Sequence, residues 1–318
     1  MSEKTKVVLD AMGGDHSPGE MVLGGVNAVK EKDNLFVYIV GPSDRIQAEL
    51  DKYEYPKDQI EIVHASDEIT CHDAPVQAIR GKKDSSMVVG LRMVREGKAD
   101  GFVSAGNSGA VLVGGQVLVG KMKGIERAPL APIVPTLKGV SLLVDCGANV
   151  DAKPSNLVQF AQMGSIYMEN ALKIERPTVG ILNIGAEEEK GNALVKETYP
   201  LLKECKDINF IGSVEARDFI YGAADVVVTE AFAGNVMLKT IEGVASGLFK
   251  LIKNSITATP VSTIGAALVK PQLKNVAKIF DATEYGGAPL LGLNGLVVKI
   301  HGNASHKEAV SYTHLTLP

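Results

Sequence analysis

Short apolar runs alternate along the chain with longer stretches in which apolar side chains recur every three or four residues. The short runs have the length of buried strands, and the longer stretches have the spacing of helices that cover a sheet. The predicted strands cover residues 6–10, 35–40, 59–63, 100–104, 140–144, 178–183, 208–211 and 226–229. This alternation predicts an α/β fold with three layers, α/β/α, around a largely parallel sheet. We expect a single domain over residues 1–310.

Glycines and polar residues recur where the predicted strands end, which is the edge at which open parallel sheets bind ligands. The first strand ends at Asp10 and is followed by Gly13 and Gly14 before a helix begins. Glycine lets the backbone approach a ligand closely, and a helix N-terminus attracts anions. This unit therefore predicts a docking place for a phosphate-bearing substrate, with a plain tight turn as the alternative. Ser17 and Glu20 have the spacing of a capping box at the helix start.

Composition limits the functional classes. The 318 residues carry a formal net charge of −4, which gives no general case for binding nucleic acid. The three cysteines are far apart and show no CxxC spacing, so we expect neither a zinc site nor a disulfide framework. Phosphate-binding P-loop and dinucleotide fingerprints are missing from the sequence. The start of the chain shows no signal peptide and no run of 18 apolar residues occurs, so we expect a cytoplasmic protein.

One segment departs from the charge pattern of the rest. Residues 243–280 contain no Asp or Glu, and their lysines are interspersed with apolar residues at helical spacing. Four of these lysines are Lys250, Lys253, Lys270 and Lys274. A basic, apolar, helical segment is typical of a surface for anionic lipid or for an acidic partner. A helix hairpin buried in a dimer interface is the alternative, and both remain open.

Several polar residues have a chemical interpretation beside a structural one. Ser108 follows a predicted strand among glycines, and either helps to hold an anion or stands in a strand-to-helix turn. His16 either transfers protons or helps to bind an anion, or it lies at the start of a helix and has no chemical role. Lys190 follows three glutamates, so it either neutralises them in solvent or turns inward to hold a phosphate or an oxyanion.

Four acids end predicted strands or follow them closely: Asp10, Asp15, Asp145 and Glu230. Four carboxylates in one cleft bind a divalent metal, but carboxylates also accept hydrogen bonds from backbone and orient cations. Spacing alone does not decide between these roles. Cys146 adjoins an acid, which disfavours a reactive thiolate, and we interpret it as structural.

In their order and spacing, the loop motifs together resemble the bacterial phosphate acyltransferases of phospholipid synthesis, the PlsX family. The motifs are 10–16 (DAMGGDH), 104–110 (SAGNSGA), 145–151 (DCGANVD), 183–185 (NIG), 187–191 (EEEKG), 234–236 (GNV), 238–240 (LKT), 285–288 (YGGA) and 301–302 (HG). The resemblance covers nearly the whole chain. It implies a fold similar to phosphotransacetylases and to isocitrate and isopropylmalate dehydrogenases.

The resemblance also implies a reaction. Inorganic phosphate attacks the thioester of a long-chain acyl–acyl-carrier-protein, and acyl phosphate and free carrier protein result. The acyl phosphate then feeds a glycerol-3-phosphate acyltransferase at the membrane. The family works as a homodimer that associates peripherally with the inner face of the cell membrane, and it needs no metal or other cofactor.

On this resemblance we assign roles to residues. Those expected to hold phosphate or substrate are Asp10, Gly13, Gly14, His16, Asn107, Ser108, Asp145 and Asn149. Lys190 and Asn235 polarise the thioester carbonyl, and Asp15 and Glu230 complete the catalytic set by orienting these groups. The four lysines of 243–280 meet the carrier protein or the membrane. Arg80, Lys82 and Lys83 steer the carrier protein or form a solvated basic face.

The sequence departs from the family in two places. Glu230-Ala231-Phe232 stands where the family often has Asp-Gly-Phe, and residues 311–318 resemble nothing in the family, so we expect a non-native tail there. The alternatives are a short-chain phosphate acetyl- or butyryltransferase that uses acyl-CoA, and a non-catalytic membrane scaffold. A metal- and NAD-dependent dehydrogenase is less favoured because the arginine cluster that it needs is missing.

Overall fold

The computed structural model describes residues 4–279, 287–307 and 310, without the side chains of 274, 275 and 277–279. The strands are β1 Thr5–Asp10, β2 Leu35–Gly41, β3 Ile60–His64, β4 Gly101–Ser104, β5 Ile133–Thr136, β6 Gly139–Val144, β7 Thr178–Asn183, β8 Asn209–Glu215, β9 Val226–Val228, β10 Gly287–Pro289 and β11 Leu296–Ile300. The helices are α1 Gly19–Glu31, α2 Ser43–Leu50, α3 Pro75–Gly81, α4 Ser86–Arg95, α5 Ser108–Gly114, α6 Pro154–Leu172, α7 Ala193–Glu204, α8 Ala216–Phe219, α9 Ala231–Ile256 and α10 Pro260–Ile279.

The strands form two sheets, and the chain divides into two compact units with one sheet each. The first unit takes its described residues from Met1–Pro132, Asn170–Lys173 and Thr283–Pro318. The second takes them from Ile133–Glu169 and Ile174–Ala282. The α/β class and the largely parallel strands are as the sequence predicts, whereas one of the two sheets is additional. The predicted single domain stays a prediction, because this division does not test whether the units fold separately.

The sheet of the first unit has the order β10-β11-β4-β1-β2-β3, and every pairing except β10 with β11 is parallel. Successive side chains of β1 point to opposite faces. Val7 and Leu9 therefore join one buried cluster with α1, while Val8 joins another with α4. Helices cover both faces, so β1 is apolar from Val7 to Leu9, and Asp10 is the one polar residue of its buried part.

The sheet of the second unit has the order β5-β6-β9-β7-β8, with β5 antiparallel to β6 and the other pairings parallel. Gly164 of α6 lies against Val226 and Val144 on one face. Met237 of α9 belongs to a buried cluster with Val227 of β9. Both faces of this sheet are thus covered by helices as well.

The helix after β1 begins differently from the prediction. Pro18 precedes α1, and no side chain caps the helix there, so the predicted capping box is wrong. Glu20 is engaged elsewhere, because its Oε2 accepts a hydrogen bond from the His306 backbone N–H at 2.7 Å. That bond is the main reason why the pKa of Glu20 lies below its ordinary value. A partner distant in sequence has replaced the local cap.

The acid-free segment forms the end of α9 and all of α10, joined through residues 257–259. We call these two helices from residue 243 onward the hairpin. Exposed apolar side chains lie along it, among them Leu251, Val261 and Leu268. Of the helices in residues 4–279 and 287–307, none has the combined length and apolarity required to cross a membrane.

Candidate active site

Two glycine-containing loops touch each other at the carboxyl ends of β1 and β4. A Cβ atom on Gly13 would lie 2.6 Å from the Gly106 backbone nitrogen and 2.9 Å from Ser104 Oγ. Real Cβ atoms do not approach other atoms so closely, so only glycine permits this packing. The loops that the sequence singles out separately, 10–16 and 104–110, therefore form one cluster, which we call the loop cluster.

Asp10 anchors the loop cluster from beneath. Its Oδ2 accepts a hydrogen bond from Ser104 Oγ at 2.6 Å, and its Oδ1 accepts one from the Met12 N–H at 3.2 Å. Ser104 Oγ in turn accepts the Gly106 N–H at 3.0 Å. Asp10 is buried, and desolvation raises the pKa of its carboxyl above the ordinary value. These contacts hold together the loops that follow β1 and β4.

The loop after Gly13 packs against a third segment at the end of β11. Gly14 has a φ of +95°, and a Cβ on it would lie 2.9 Å from the Gly302 carbonyl oxygen. The N–H of Asp15 donates to that same carbonyl at 2.8 Å. His16 Nε2 lies 2.7 Å from Asn303 Oδ1. The side chains of Asp15 and His16 are exposed, so both are accessible to a substrate.

Asn107 caps α5. Its Oδ1 accepts the Ala110 N–H at 3.1 Å, and its Nδ2 donates to the carbonyls of Thr70 and Asp73 at 3.0 and 3.1 Å. The amide is thus used in holding the turn. The exposed Ser108 begins α5, and the first N–H groups of a helix have no partners within it. Because Asn107 takes the N–H groups of Ala110 and Val111, the Ser108 hydroxyl and the N–H groups of Ser108 and Gly109 are the candidate donors for an anion at this turn.

Lys299 is a functional candidate that the sequence analysis missed. It is 8% exposed, it pairs in register with Ser104, and its Nζ donates to the carbonyls of Ala105, at 3.4 Å, and Ile300. A buried ammonium group therefore lies directly under the loop cluster. The available signal was a lysine within the otherwise apolar run of β11, because lysine is almost never fully buried without partners.

In the second unit, Asp145 organises the turn that follows β6. Its Oδ1 accepts the N–H groups of Gly147 and Ala148 at 3.2 and 3.0 Å. Its Oδ2 accepts the N–H and the side-chain amide of Asn149, both at 2.8 Å. Of the roles left open for this acid, the structure favours hydrogen bonding to backbone. Cys146 beside it is buried, and desolvation raises its pKa well above the ordinary value, which fits a structural thiol.

Glu230 is the N-cap of α9. Its carboxylate accepts the Phe232 N–H at 2.6 Å and the Ala233 N–H at 2.9 Å. One turn on, a Cβ at Gly234 would lie 1.9 Å from the Asp145 carbonyl oxygen. The start of α9 is thereby pressed against the Asp145 turn. The longer glutamate serves as the cap here, where the family often has aspartate. Asn235, next in the helix, is exposed.

Lys190 lies on the surface of the loop after β7. Its Nζ is 2.8 Å from Glu187 Oε1, and its side chain is 51% exposed. This ion pair lowers the pKa of Glu187. The arrangement matches the solvated alternative, in which the lysine neutralises its acidic neighbours. An inward-turned Lys190 stays a prediction.

A cavity of about 660 Å³ lies at the carboxyl ends of β7 and β9, against α9. Glu230 and Asn183 line it where the strands end. Lys190, Asn235, Asp145 and Asn149 do not line it. The cavity therefore unites only part of the site predicted for this unit. Sequence reasoning missed it because its walls come from strands and helices far apart in the chain.

The remaining candidates are surface lysines and the acids considered for metal. Lys250, Lys253 and Lys270 are exposed on the hairpin, and the side chain of Lys274 lies outside the described residues. Lys82 is engaged with Asp73 at 2.9 Å, and this bond holds the pKa of Asp73 at about 2. Arg80 and Lys83 are exposed. Within the described part of the chain, no three His, Cys, Asp or Glu side chains are grouped as metal ligands.

Comparison with known proteins places these features in a family context. A family model with the description "Fatty acid synthesis protein" matches residues 5–313. A phosphate acyltransferase of Alkaliphilus oremlandii is 54% identical over 302 residues, covering 95% of this chain and 90% of its own. One of Clostridium acetobutylicum is 49% identical over 301 residues, covering 95% and 91%.

The fold also matches solved structures. A phosphotransacetylase from Streptococcus pyogenes aligns with a TM-score of 0.64 and 18% identity over 99% of this chain and 94% of its own. At this identity the likeness shows the fold alone. It confirms the expected similarity to phosphotransacetylases.

Proposed function

The chain belongs to the fatty acid synthesis protein family and is a phosphate acyltransferase, and from this we propose that its acyl donor is a long-chain acyl–acyl-carrier-protein thioester. The products are acyl phosphate and free carrier protein, and the acyl phosphate supplies phosphatidic acid synthesis through a glycerol-3-phosphate acyltransferase. The observation that carries the choice of a long-chain donor is the hairpin. Exposed apolar side chains lie along its described part, among them Val261 at 80% and Leu268 at 76%, and its sequence contains no acid.

The chemistry requires an anion site and stabilisation of a developing oxyanion, but no protein nucleophile. A phosphate oxygen attacks the thioester carbonyl carbon, the C–S bond breaks, and the carrier-protein thiolate leaves with the proton that hydrogen phosphate gives up. A preorganised donor set is the main protein contribution to such a step. The loop cluster supports this role, because the absence of a side chain at Gly13 lets the loops after β1 and β4 lie against each other, and Ser108 is exposed at the start of α5.

We assign the predicted residues accordingly. Gly13, Gly14 and Ser108 hold phosphate directly, and Asp10 and Asn107 hold the loops in place. Asp145, Asn149 and Glu230 shape the start of α9, from which Asn235 faces the carbonyl. The exposed side chains of His16 and Asp15 contact the phosphate. Lys190 releases Glu187 when the substrate binds and then polarises the thioester carbonyl. The homodimer stays a prediction.

A short-chain transferase that uses acyl-CoA is the second candidate, since the solved structure of the same fold is a phosphotransacetylase. The exposed apolar hairpin argues against it, because a small acyl donor has no need of such a surface. A non-catalytic scaffold is not supported, because the chain is an enzyme of the phosphate acyltransferase family.

The deciding experiment measures phosphate-dependent loss of acyl-carrier-protein thioester, with acyl phosphate trapped by hydroxylamine. Hexadecanoyl-carrier protein, palmitoyl-CoA and acetyl-CoA are compared at equal concentration. We expect turnover of the carrier-protein donor at least tenfold faster than that of either CoA thioester. Turnover of acetyl-CoA alone would assign the chain to the short-chain transferases.

We further propose that the hairpin attaches the enzyme to an anionic membrane surface, where a lipophilic product is handed on. One variant replaces Val261, Ile264 and Leu268 by Gln, and a second replaces Lys250, Lys253 and Lys270 by Gln. In vesicle flotation, the first should lose binding to all vesicles and the second only its preference for anionic lipid. If the lysine variant floats normally but shows a raised KM for the carrier-protein donor, the lysines bind the carrier protein and not the membrane.

A further inference from the structure

The cavity beside α9 is lined mostly by aliphatic side chains. Its volume of about 660 Å³ lies within the range of small-molecule pockets. Apolar side chains from three helices and a strand form most of the wall, including Leu157, Ile181, Val195 and Met237. A ligand that fills such a space is held chiefly by removal of apolar surface from water.

Two polar side chains that line the cavity where the strands end, Glu230 and Asn183, are already used within the protein. Glu230 accepts the N–H groups that begin α9. The Asn183 amide donates to the Lys190 carbonyl and to Ser213 Oγ, and its oxygen accepts the Ile184 N–H. These groups lie at the strand ends and mark one end of the cavity. Asn192, Arg217, Thr229 and Thr240 also line the cavity, but most of its remaining wall is aliphatic, which favours a hydrocarbon chain over a sugar or a nucleotide.

The face of α9 that lines the cavity continues along the helix in apolar side chains. Phe232 and Val236 line the cavity. Val244, Leu248 and Leu251 follow on the same side, 64%, 55% and 66% exposed. At 3.6 residues per turn these positions form one broad stripe. The cavity is thus continuous with the apolar surface of the hairpin, which suits a long chain better than a compact ligand.

We propose that this cavity binds the fatty acyl chain of the thioester substrate. The inference rests on the proposed function, which supplies the acyl donor. It adds the place where the acyl group is bound, and it predicts how the enzyme selects acyl groups by their length. Each methylene that enters the cavity should increase kcat/KM by roughly fourfold until the space is filled.

Two matched tryptophan variants test the proposal. Thr240 lines the cavity and is exposed, so Thr240→Trp extends an indole ring over the space without entering the core. Ser246 is an exposed position about 120° away around the same helix and does not line the cavity. The readout is the ratio of kcat/KM for dodecanoyl- and butyryl-carrier protein. Thr240→Trp should lower this ratio at least tenfold, and Ser246→Trp should leave it unchanged.

A binding measurement that needs no catalysis separates this inference from the proposed function. cis-Parinaric acid, a fatty acid that fluoresces in apolar surroundings, is titrated into each protein. We expect Thr240→Trp to weaken its binding at least tenfold and Ser246→Trp to leave it unchanged. Equal binding by all three proteins would overturn the cavity assignment even if carrier-protein donors are turned over. Weakened binding without turnover of any donor would refute the proposed donor and retain the cavity as an acyl-chain site.

Discussion

Gly13 lies against Gly106 so closely that a Cβ on Gly13 would stand 2.6 Å from the Gly106 nitrogen. This contact fixes the distance between the loops that follow β1 and β4. The N–H of Gly106 is in turn held by Ser104, and Ser104 by Asp10. The geometry of the proposed phosphate site therefore depends on the absence of one methyl group.

Gly13→Ala should separate the two loops and weaken phosphate binding. We expect a KM for phosphate at least tenfold higher and a loss of about 1–3 kcal/mol in the free energy of unfolding, as for other overpacked sites. Steady-state kinetics and urea denaturation measure the two effects. Gly81→Ala is the matched control, because a Cβ there meets nothing within 4 Å. A wild-type KM for phosphate in Gly13→Ala would contradict the assignment.

Gly234→Ala should disrupt the start of α9, because its Cβ would meet the Asp145 carbonyl oxygen. The helix must shift to relieve the clash, so we expect destabilisation by about 1–3 kcal/mol or more and loss of acyl-phosphate formation. Gly243→Ala, on the same helix, has nothing within 4 Å of its Cβ. That control should gain about 0.5–1 kcal/mol from the better helix propensity of alanine. Similar melting temperatures for the two variants would show the contact to be unimportant.

Lys190 and Lys203 provide a matched pair of surface lysines. Each pairs with a glutamate of the same acidic loop, Lys190 with Glu187 at 2.8 Å and Lys203 with Glu188 at 3.1 Å. Exposed ion pairs contribute only about 0–1 kcal/mol, so neither change should affect folding. We expect Lys190→Ala to lower kcat at least tenfold and Lys203→Ala to leave it unchanged. Equal rates for both variants would establish the solvated alternative for Lys190.

The sequence indicated the fold class and the loops because both are local signals. Apolar runs give strands, and glycines beside polar residues mark the strand ends, as at Gly13 and Gly106. The division into two sheets depends on strand order, which no single run encodes. The edge strands β5 and β10 are short, and nothing in their sequences distinguishes them from loops.

Side-chain roles were predicted less well, because they depend on partners distant in sequence. Glu20 bonds His306 rather than capping its own helix. Lys299 reaches the site from the last strand, 194 residues beyond Ala105. The acids of the strand ends were found, but which groups they bond could be learned only from the structure.

Lys299→Met tests the buried ammonium group beneath the loop cluster. The change keeps the length of the side chain but removes the donor to the carbonyls of Ala105 and Ile300. Leaving buried acceptors without that donor should cost about 1–3 kcal/mol of unfolding free energy. The KM for phosphate should rise severalfold, because Ala105 precedes Gly106. Lys98→Met, which breaks an exposed pair with Glu96, is the control and should change neither quantity. If the two variants have the same unfolding free energy and the same KM for phosphate, Lys299 has no role in the site.

Asp10 should make stability depend on pH in a direction opposite to that of an ordinary surface carboxylate. Burial raises its pKa in the folded protein above the ordinary value of 3.8, so the folded state keeps the proton to higher pH than the unfolded chain does. Stability is therefore greatest below the unfolded pKa and falls as pH rises towards the folded pKa, above which it levels off. Asp10→Asn removes this contribution.

Urea denaturation followed by circular dichroism between pH 4 and about 8 gives the test. The unfolding free energy of the wild type minus that of Asp10→Asn should decline with rising pH. A difference that grows with pH would mean that hydrogen bonds from Ser104 and Met12 outweigh desolvation. In that case Asp10 would hold the loops as a fixed negative charge, and the anion site above it would need more positive charge than Lys299 alone provides.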